Sequence, residues 1–266
     1  MQGIKTISFI GSGNVATHLA KELYLKGYTI QQICSRYLEN ANILANQVEA
    51  QGIDHLDALD TTVDLIFCCT KDDLIKKIIN RIVDTNNIHA IVHTSGTVGL
   101  EVFNDFEDKI INKGIFYPLQ SFSKTVPVNF KTIPIGITTT NNLFEAQLLQ
   151  IANTISEKAF VITDNDRKHL HLSAVLVNNF TNHLFALGQQ YCEQHQLDFK
   201  LLLPLIQQTI QRIETIAPIN AQTGPAKRKD FEIINNHINM LNNNELVQAI
   251  YISLTNSILD FYKDSE

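Results

Sequence analysis

The chain has 266 residues, of which 44% are hydrophobic and 18% are charged, so it can bury a core and is not a wholly disordered protein. Its 21 basic and 27 acidic residues give a net charge of −6, which excludes a typical nucleic-acid-binding surface. The length fits two domains.

The cysteines and the apolar runs of the sequence indicate which other classes of protein can be excluded. Cys68 and Cys69 are adjacent in an apolar run, and no cysteine pair has metal-ligand spacing, so we expect neither a disulfide framework nor a metal site. The apolar run at 4–10 is too short for a secretory signal core. No apolar run approaches the roughly 18 residues of a membrane span. We therefore expect a cytoplasmic protein that has no membrane partner.

Strand and helix patterns alternate through the first half of the chain. Apolar runs predict strands at residues 4–10, 28–34, 63–70, 88–93, 114–117, 133–138 and 159–163. Helical spacing predicts a helix that follows Gly13 and runs to about residue 26. It also predicts helices at 38–50, from about 72 onward and at 143–156. This alternation is typical of the α/β class and predicts a Rossmann-type, mostly parallel sheet with helices on both faces.

The pattern changes after residue 163, beyond which no further strand is predicted. Helical spacing continues from residue 166 to about 194. Three more helices are predicted behind residues that can cap them, namely Asp198, Asp230 and Asn244. We therefore predict a dinucleotide-binding domain over residues 1–163 and an all-helical substrate and dimerisation domain over residues 164–266.

Two of the predicted C-terminal helices are more apolar than one buried face requires. Their apolar residues are Leu201, Leu202, Leu203, Leu205 and Ile206 in one helix, and Leu246, Ile250, Leu254, Ile258 and Phe261 in the other. Large exposed apolar patches usually mark an interface. We therefore expect a homodimer built mainly from the helical domain.

The first strand leads directly into a glycine-rich turn and a helix, with the sequence Gly11-Ser12-Gly13-Asn14-Val15-Ala16. In a dinucleotide site Gly11 permits the tight turn, Gly13 lets the backbone approach a pyrophosphate, and Ala16 allows close packing of helix on strand. The free N–H groups of the helix N-terminus then face the anion. A glycine turn without a ligand is the alternative, but the strand–turn–helix context favours a dinucleotide.

The end of the second strand indicates which dinucleotide. An NAD site places Asp or Glu there to hold the ribose 2′-hydroxyl. This chain has Ser35 and Arg36 instead, and no carboxylate follows before Glu39. Ser35 can donate to a 2′-phosphate and Arg36 can pair with it, so NADP is predicted in preference to NAD or FAD. A solvated surface arginine is the alternative.

Polar loops follow three later strands, at the sheet edge where open α/β folds bind their ligands, and the third of these loops runs from Tyr117 to Ser123. Thr70 follows one strand and is expected beside the cofactor. Thr94, Ser95 and Gly96 follow the next, where hydroxyl and N–H groups could hold a substrate carboxylate or carbonyl. A simple helix N-cap explains the second group equally well.

A polar stripe runs along the long helix that follows residue 163. Lys168, His171, Asn178 and Asn182 have spacings that place them on nearly one helical face, with Asn179 half a turn away. The stripe could line an interdomain cleft or could simply face solvent. In the first case His171, with Lys168, would transfer a proton, because imidazole titrates near neutral pH. Asn178 or Asn179 would then orient the substrate.

Taken together, these motifs resemble a bacterial family of Rossmann-like NADP oxidoreductases with a C-terminal helical domain of unknown function. The residues that carry the resemblance are Gly11–Ala16, Ser35-Arg36, 93–96, 117–122, His171 with Asn179-Phe180, and Thr223-Gly224-Pro225. At greater distance the chain is similar to pyrroline-5-carboxylate reductase, ketopantoate reductase and deazaflavin-dependent NADP reductase. The resemblance implies a dinucleotide fold, a helical partner domain and often a homodimer. The related 3-hydroxyacid dehydrogenases have Lys and then Asn where this chain has His171 and Val175.

The leading interpretation is an oxidoreductase that transfers a hydride between NADP(H) and a small polar carbonyl or imine. Two alternatives remain: a non-catalytic NADP-binding or sensing protein, and a deazaflavin-linked NADP reductase.

Overall fold

A computed structural model describes residues 3–83, 88–106 and 108–263. The chain forms two compact units, residues 1–177 and residues 178–266. The strands are β1 (Thr6–Ile10), β2 (Thr29–Cys34), β3 (Gln51–Ile53), β4 (Leu65–Cys68), β5 (Ile88–His93), β6 (Ile110–Pro118), β7 (Ile135–Thr139) and β8 (Ala159–Val161). The α-helices are α1 (Asn14–Leu25), α2 (Leu38–Ala45), α3 (Asp72–Val83), α4 (Asn142–Ile155), α5 (Asp164–Ala174), α6 (Thr181–Gln194), α7 (Leu203–Thr215), α8 (Pro218–Ala221), α9 (Phe231–Met240) and α10 (Glu245–Phe261).

The first unit is built on one eight-stranded sheet with the order β3-β2-β1-β4-β5-β6-β7-β8. Strands β1 to β6 are parallel, β7 runs antiparallel to β6, and β8 is parallel to β7. The predicted α/β Rossmann-type fold is therefore confirmed. Strand β3 was not predicted, because its three residues, Gln51–Ile53, include a glycine and form no apolar run.

Alternate residues of the strands contribute side chains to two hydrophobic cores, one on each face of the sheet. Ile7 and Phe9 of β1 point to the face covered by α1, α2 and α4, while Ile10 contributes to the face covered by α3. This alternation follows from the two-residue period of a strand. Both faces are buried, as parallel strands with helical crossovers require.

The first unit extends beyond residue 163, the predicted domain boundary, to Val177. Helix α5 belongs to this unit because its Arg167 side chain donates to the main-chain oxygens of Ser95 and Val98, which follow β5. The predicted continuous α-helix from 166 to 194 is wrong over Val175–Phe180, which form a π-helical turn. A π turn has i→i+5 hydrogen bonds, so the spacing that defines a common face along an α-helix does not hold across it.

The second unit consists of helices, with no strand in its described residues. The predicted caps are confirmed: Asp198 accepts from the Lys200 N–H, Asp230 from that of Ile233, and Asn244 from that of Val247. The chain after Asp198 begins as a 3-10 turn before α7. Only six described residues of this unit are buried: Cys192, Ala226, Ile234, Leu241, Thr255 and Tyr262. Within the described ranges, no helix has the length and hydropathy needed to cross a bilayer.

Candidate dinucleotide and active site

A cavity of about 860 Å³ lies at the carboxyl ends of β1, β2 and β4. Its position is the switch point of the sheet, because β1 lies between β2 on one side and β4 on the other. The volume is in the range of about 300–1,000 Å³ that is usual for ligand sites. Its lining includes Ile10, Gly11, Ser12, Gly13, Asn14, Val15, Cys34, Ser35, Arg36, Thr70, Lys71, Thr94 and Lys124.

Gly11 forms the tight turn between β1 and α1. Its φ of 111° lies in the region that favours glycine, and a Cβ there would overlap the main-chain oxygen of Cys69. The Gly11 N–H donates to the Cys34 oxygen at 2.7 Å, which ties the turn to β2. Ala16 is fully buried in the core, as predicted for close packing of helix on strand.

The N-terminus of α1 is open toward an anion. Gly13 is the N-cap, so no side chain caps the first turn, and that turn has no acidic residue. A Cβ at Gly13 would meet nothing within 4 Å, so there is free space at this point of the turn. The unsatisfied N–H groups and the positive end of the helix dipole favour a phosphate here. These residues therefore fit a dinucleotide diphosphate.

Ser35 and Arg36 form the wall of the cavity at the end of β2. The Ser12 hydroxyl donates to the Ser35 hydroxyl at 2.8 Å, which fixes the position of Ser35 beside the glycine turn. The Arg36 side chain is exposed, and it forms no ion pair with any other described residue. A cation without a protein partner at this wall is suited to a 2′-phosphate. Burial raises the pKa of the adjacent Cys34 to about 11, so that side chain remains a neutral thiol.

Further polar groups line the cavity beyond β4. Thr70 and Lys71 follow that strand, as predicted for Thr70, and Lys124 belongs to the segment between β6 and β7. The same segment is held to α1 because His18 Nε2 lies 2.7 Å from the Ser123 main-chain oxygen. Lys71 and Lys124 add positive charge around a site suited to an anion.

His171 and Tyr117 form a hydrogen-bonded pair, with 3.0 Å between the Tyr117 hydroxyl and His171 Nδ1. Tyr117 lies near the carboxyl end of β6 and His171 lies on α5. The imidazole packs on the segment that follows β5, since a Cβ at Gly96 would overlap His171 Nδ1. The structure therefore brings together three residues that are distant in sequence: Gly96, Tyr117 and His171.

Arg167 is fully buried and fixes the segment after β5. Its guanidinium donates to the Ser95 oxygen at 2.7 Å, to the Val98 oxygen at 2.6 Å, and to Asp164 Oδ1 at 2.7 Å. Burial, together with the charge of Arg167, lowers the pKa of the neighbouring His93 to about 4. His93 is therefore neutral near pH 7, and Arg167 carries the positive charge beneath this segment.

The remaining predicted residues lie in separate places. Thr94 lines the cavity, whereas the Ser95 hydroxyl accepts from the Thr97 and Val98 N–H groups within its own turn. Lys168 is exposed and pairs with Glu101 at 3.5 Å and Asp164 at 3.9 Å. Asn178 and Asn179 are exposed in the π-helical turn. The prediction that Asn178 shares a face with His171 assumed α-helical spacing, which does not apply within this turn.

Comparison with known protein families assigns both parts of the chain. Residues 6–95 match the family described as NADP oxidoreductase, coenzyme F420-dependent. Residues 133–258 match the domain of unknown function DUF2520. A protein from Bacteroides fragilis, provisionally assigned as an NADP oxidoreductase, is 37% identical over 97% of this chain and 98% of its own, with a TM-score of 0.90. The chain belongs to this family of DUF2520 NADP oxidoreductases.

More distant structures share the fold of the DUF2520 oxidoreductases. A protein from Thermotoga maritima is 23% identical, with a TM-score of 0.71 over 97% of this chain and 99% of its own. An imine reductase from Myxococcus stipitatus, solved with NADP+, is 14% identical, with a TM-score of 0.67 over 97% of this chain and 94% of its own. A search of curated proteins found no match. NADP is the cofactor of this oxidoreductase family, which confirms the predicted cofactor.

Two residues that hold the candidate site together, Arg167 and Tyr117, were not identified as site residues from the sequence. Nothing in the sequence indicated that Arg167 is buried, because a charged residue in a polar helix usually faces solvent. Tyr117 was placed in a loop at the ligand-binding edge of the sheet because of its position at a strand end, but it was given no role of its own. Only the fold shows that this strand end lies beside His171.

Proposed function

We propose that the chain is an oxidoreductase that transfers a hydride between NADP(H) and a small polar carbonyl or imine. The observation that carries this proposal is the His171–Tyr117 pair on the same sheet-bearing unit as a cavity suited to a dinucleotide. When bound, the nicotinamide supplies or accepts the hydride. The protein then has to bind the cofactor, orient the substrate and move one proton.

The cofactor is held by groups that match its charges. The N–H groups at the start of α1 bind the diphosphate, and Gly11, Ser12, Gly13, Asn14 and Val15 form the turn around it. Ser35 and Arg36 bind the 2′-phosphate, and Thr70 lies along the same cavity. Ala16 supports the site from the core rather than by contact with the cavity.

His171 is the proton donor for reduction and the acceptor for oxidation. A carbonyl that receives hydride becomes an alkoxide, and an imine becomes an amide anion, unless a proton reaches the oxygen or nitrogen. An imidazole can supply that proton near neutral pH. Lys168 is a weaker candidate, because its ammonium group already pairs with two carboxylates.

Thr94 is the proposed substrate contact on the segment after β5, since this residue lines the cavity. Ser95 supports this segment through its hydroxyl, and Gly96 leaves space for the imidazole. Orientation of the substrate by Asn178 or Asn179 is retained as part of the proposal. So is a homodimer formed through the helical unit, as the apolar surface of α7 and α10 supports.

Two variants on the same helix test the catalytic role. His171→Ala should lower turnover by about 10²–10⁴-fold, the range expected for a general acid. The dissociation constant for NADPH should stay within about threefold, because catalytic and binding roles are separable. His169→Ala is the matched control, since His169 is exposed on α5 and touches none of the site described above.

The substrate is found by incubating the protein with NADPH and a panel of 2-oxoacids, imines and a deazaflavin. Oxidation of NADPH by a carbonyl or imine, lost in His171→Ala, supports the proposal. Tight NADPH binding without turnover of any substrate would instead indicate a sensing protein. Turnover with the deazaflavin alone would indicate the activity named in the family description of residues 6–95.

A further inference from the structure

We propose that Tyr117 is a positioning residue that fixes His171 in one neutral tautomer, with the proton on Nε2. This inference rests on the proposed function, because it states which imidazole atom delivers the proton to substrate. The Tyr117 hydroxyl and His171 Nδ1 are 3.0 Å apart. The distance alone leaves two possibilities, since either atom could be the donor.

The hydrogen-bonding needs of the Tyr117 hydroxyl decide between them. The described residues give this hydroxyl no acceptor other than His171 Nδ1. If Nδ1 carried the proton and donated it, the phenolic proton would lack a protein acceptor. Tyr117 is only 7% exposed, so an unmade hydrogen bond there is costly. Donation from the hydroxyl to Nδ1 satisfies both groups.

The protonation state of Tyr117 agrees with this direction. Burial raises the pKa of Tyr117, although the charge of Arg167 acts in the opposite sense. The phenol is therefore protonated throughout the neutral range and able to donate. Nδ1 of the neutral imidazole is then the acceptor, and the ring proton lies on Nε2.

The two side chains are held by different parts of the first unit. Tyr117 is fixed through β6, where it pairs with Gly136 of β7. His171 is fixed through α5, which is tied to the segment after β5 by Arg167. The imidazole packs on Gly96, where any side chain would displace it. A donor on a strand and an acceptor on a helix give the pair a defined geometry.

The consequence concerns the direction of proton delivery. With Nδ1 engaged by Tyr117, Nε2–H is the imidazole donor that remains for a substrate oxygen or nitrogen. Loss of the Nε2 proton alone would leave an imidazolate, so the Tyr117 hydroxyl passes its proton to Nδ1 as Nε2–H passes to the alkoxide or amide anion. Nδ1 then returns that proton to the phenolate as Nε2 takes a new one from water. Tyr117 thus acts through His171, whose ring it orients and whose tautomer it selects between cycles.

The tautomer can be measured without cofactor or substrate. In protein labelled with ¹⁵N-histidine, long-range proton–nitrogen spectra distinguish a protonated from an unprotonated ring nitrogen. His171 is assigned by the loss of its signals in His171→Gln. At a pH where the ring is neutral, wild-type protein should show a protonated Nε2 and an unprotonated Nδ1. A wild-type ring with the proton on Nδ1, or with mixed tautomers, would overturn the proposal.

Tyr117→Phe removes the donor and little else, so its His171 signals should move to a mixture of tautomers. Tyr251→Phe is the matched control, because Tyr251 makes a similar bond to His237 Nδ1 at 2.9 Å in the second unit. That variant should change the His237 signals and leave those of His171 unchanged. Unchanged His171 signals in Tyr117→Phe would show that Tyr117 does not select the tautomer.

Activity gives a separate result once a substrate is known. Tyr117→Phe should lower kcat by at least about two- to tenfold, because it removes one neutral hydrogen bond and the proton donor to Nδ1, with the KM for NADPH unchanged. An unchanged kcat would overturn the positioning role. Failure of wild-type protein to turn over any substrate would overturn the proposed function. The tautomer measurement needs no substrate and would still test whether Tyr117 selects the tautomer of His171.

Discussion

Arg167 donates a 2.7 Å hydrogen bond to the main-chain oxygen of Ser95, although the arginine side chain is fully buried. Two further bonds, to Val98 and Asp164, compensate for part of the cost of burying its charge. The arginine thus connects α5, which bears His171, to the segment after β5, which bears Thr94. The site depends on a residue that does not line the nucleotide cavity.

Arg167→Met should destabilise the first unit by about 3–5 kcal/mol, because it leaves the Ser95 and Val98 main-chain oxygens and the partly buried Asp164 carboxylate without their donor. Urea unfolding followed by circular dichroism measures this change. Arg81→Met is the control, since Arg81 pairs with Asp57 in an exposed ion pair and its loss should affect unfolding far less. Equal effects of the two variants would contradict the role assigned to Arg167.

The sequence was sufficient to predict most residues that line the cavity at the ends of β1 and β2, and the reason is local. One turn and the helix that follows it require small residues at fixed positions, here Gly11, Gly13 and Ala16. Their spacing in the sequence is therefore enough to identify them. Ser35 and Arg36 were found because a strand end has a defined place relative to that turn. In each case the relevant geometry spans one supersecondary unit.

The catalytic half was less predictable, because it depends on contacts between distant segments. Burial of Arg167 and the contact of His171 with Gly96 arise from packing of α5 beside β5, which no local periodicity reports. The π-helical turn at Val175–Phe180 also has no evident signal in its residues. Spacing that assumes an unbroken α-helix therefore does not apply across this turn.

Asp164 makes stability depend on pH. Burial opposes ionisation of this carboxyl group, but hydrogen bonds from Arg167 and the Leu100 N–H outweigh burial and lower its pKa. A lowered pKa in the folded state gives stability that is present above the unfolded pKa and lost as pH falls through the folded value. As the pH falls from neutral to below the ordinary aspartate pKa of 3.8, wild-type protein should therefore lose more unfolding free energy than Asp164→Asn.

The control for this measurement is Asp105→Asn, which removes an exposed carboxylate paired with Lys76. Its pH dependence over the same range should follow that of the wild type. A parallel loss of stability in wild type and Asp164→Asn would show that Asp164 does not contribute to the acid sensitivity.

Arg36 should discriminate between the phosphorylated and unphosphorylated dinucleotides. Arg36→Ala should weaken NADPH binding by roughly ten- to hundredfold, since a charge-assisted hydrogen bond contributes about 1.5–3 kcal/mol. NADH binding should barely change, because NADH lacks the 2′-phosphate. The chain contains no Trp, so nicotinamide fluorescence can follow both titrations without indole interference. Equal affinities of wild-type protein for NADPH and NADH would contradict the assignment.

The helical unit should form a homodimer. Leu201, Leu205, Leu246 and Phe261 are each more than half exposed, which is unusual for so many large apolar residues in one compact unit. Light scattering should give about twice the chain mass of 30.0 kDa at micromolar concentration. Leu205→Glu should shift the mass toward the monomer. Leu25→Glu, at a comparably exposed leucine of α1, should leave it unchanged.

The two glycines of the turn should separate folding from binding. Gly11→Ala forces a side chain into positive φ and onto the Cys69 carbonyl, so it should destabilise the first unit by at least about 1–3 kcal/mol. Gly13 has a φ of −74° and free space around it, so Gly13→Ala should unfold at nearly the wild-type temperature. Its methyl group would occupy the space where the diphosphate approaches the helix, and NADPH binding should weaken about tenfold or more. Thermal unfolding and fluorescence titration measure the two effects separately. Wild-type NADPH affinity in Gly13→Ala would mean that the diphosphate does not lie at the start of α1.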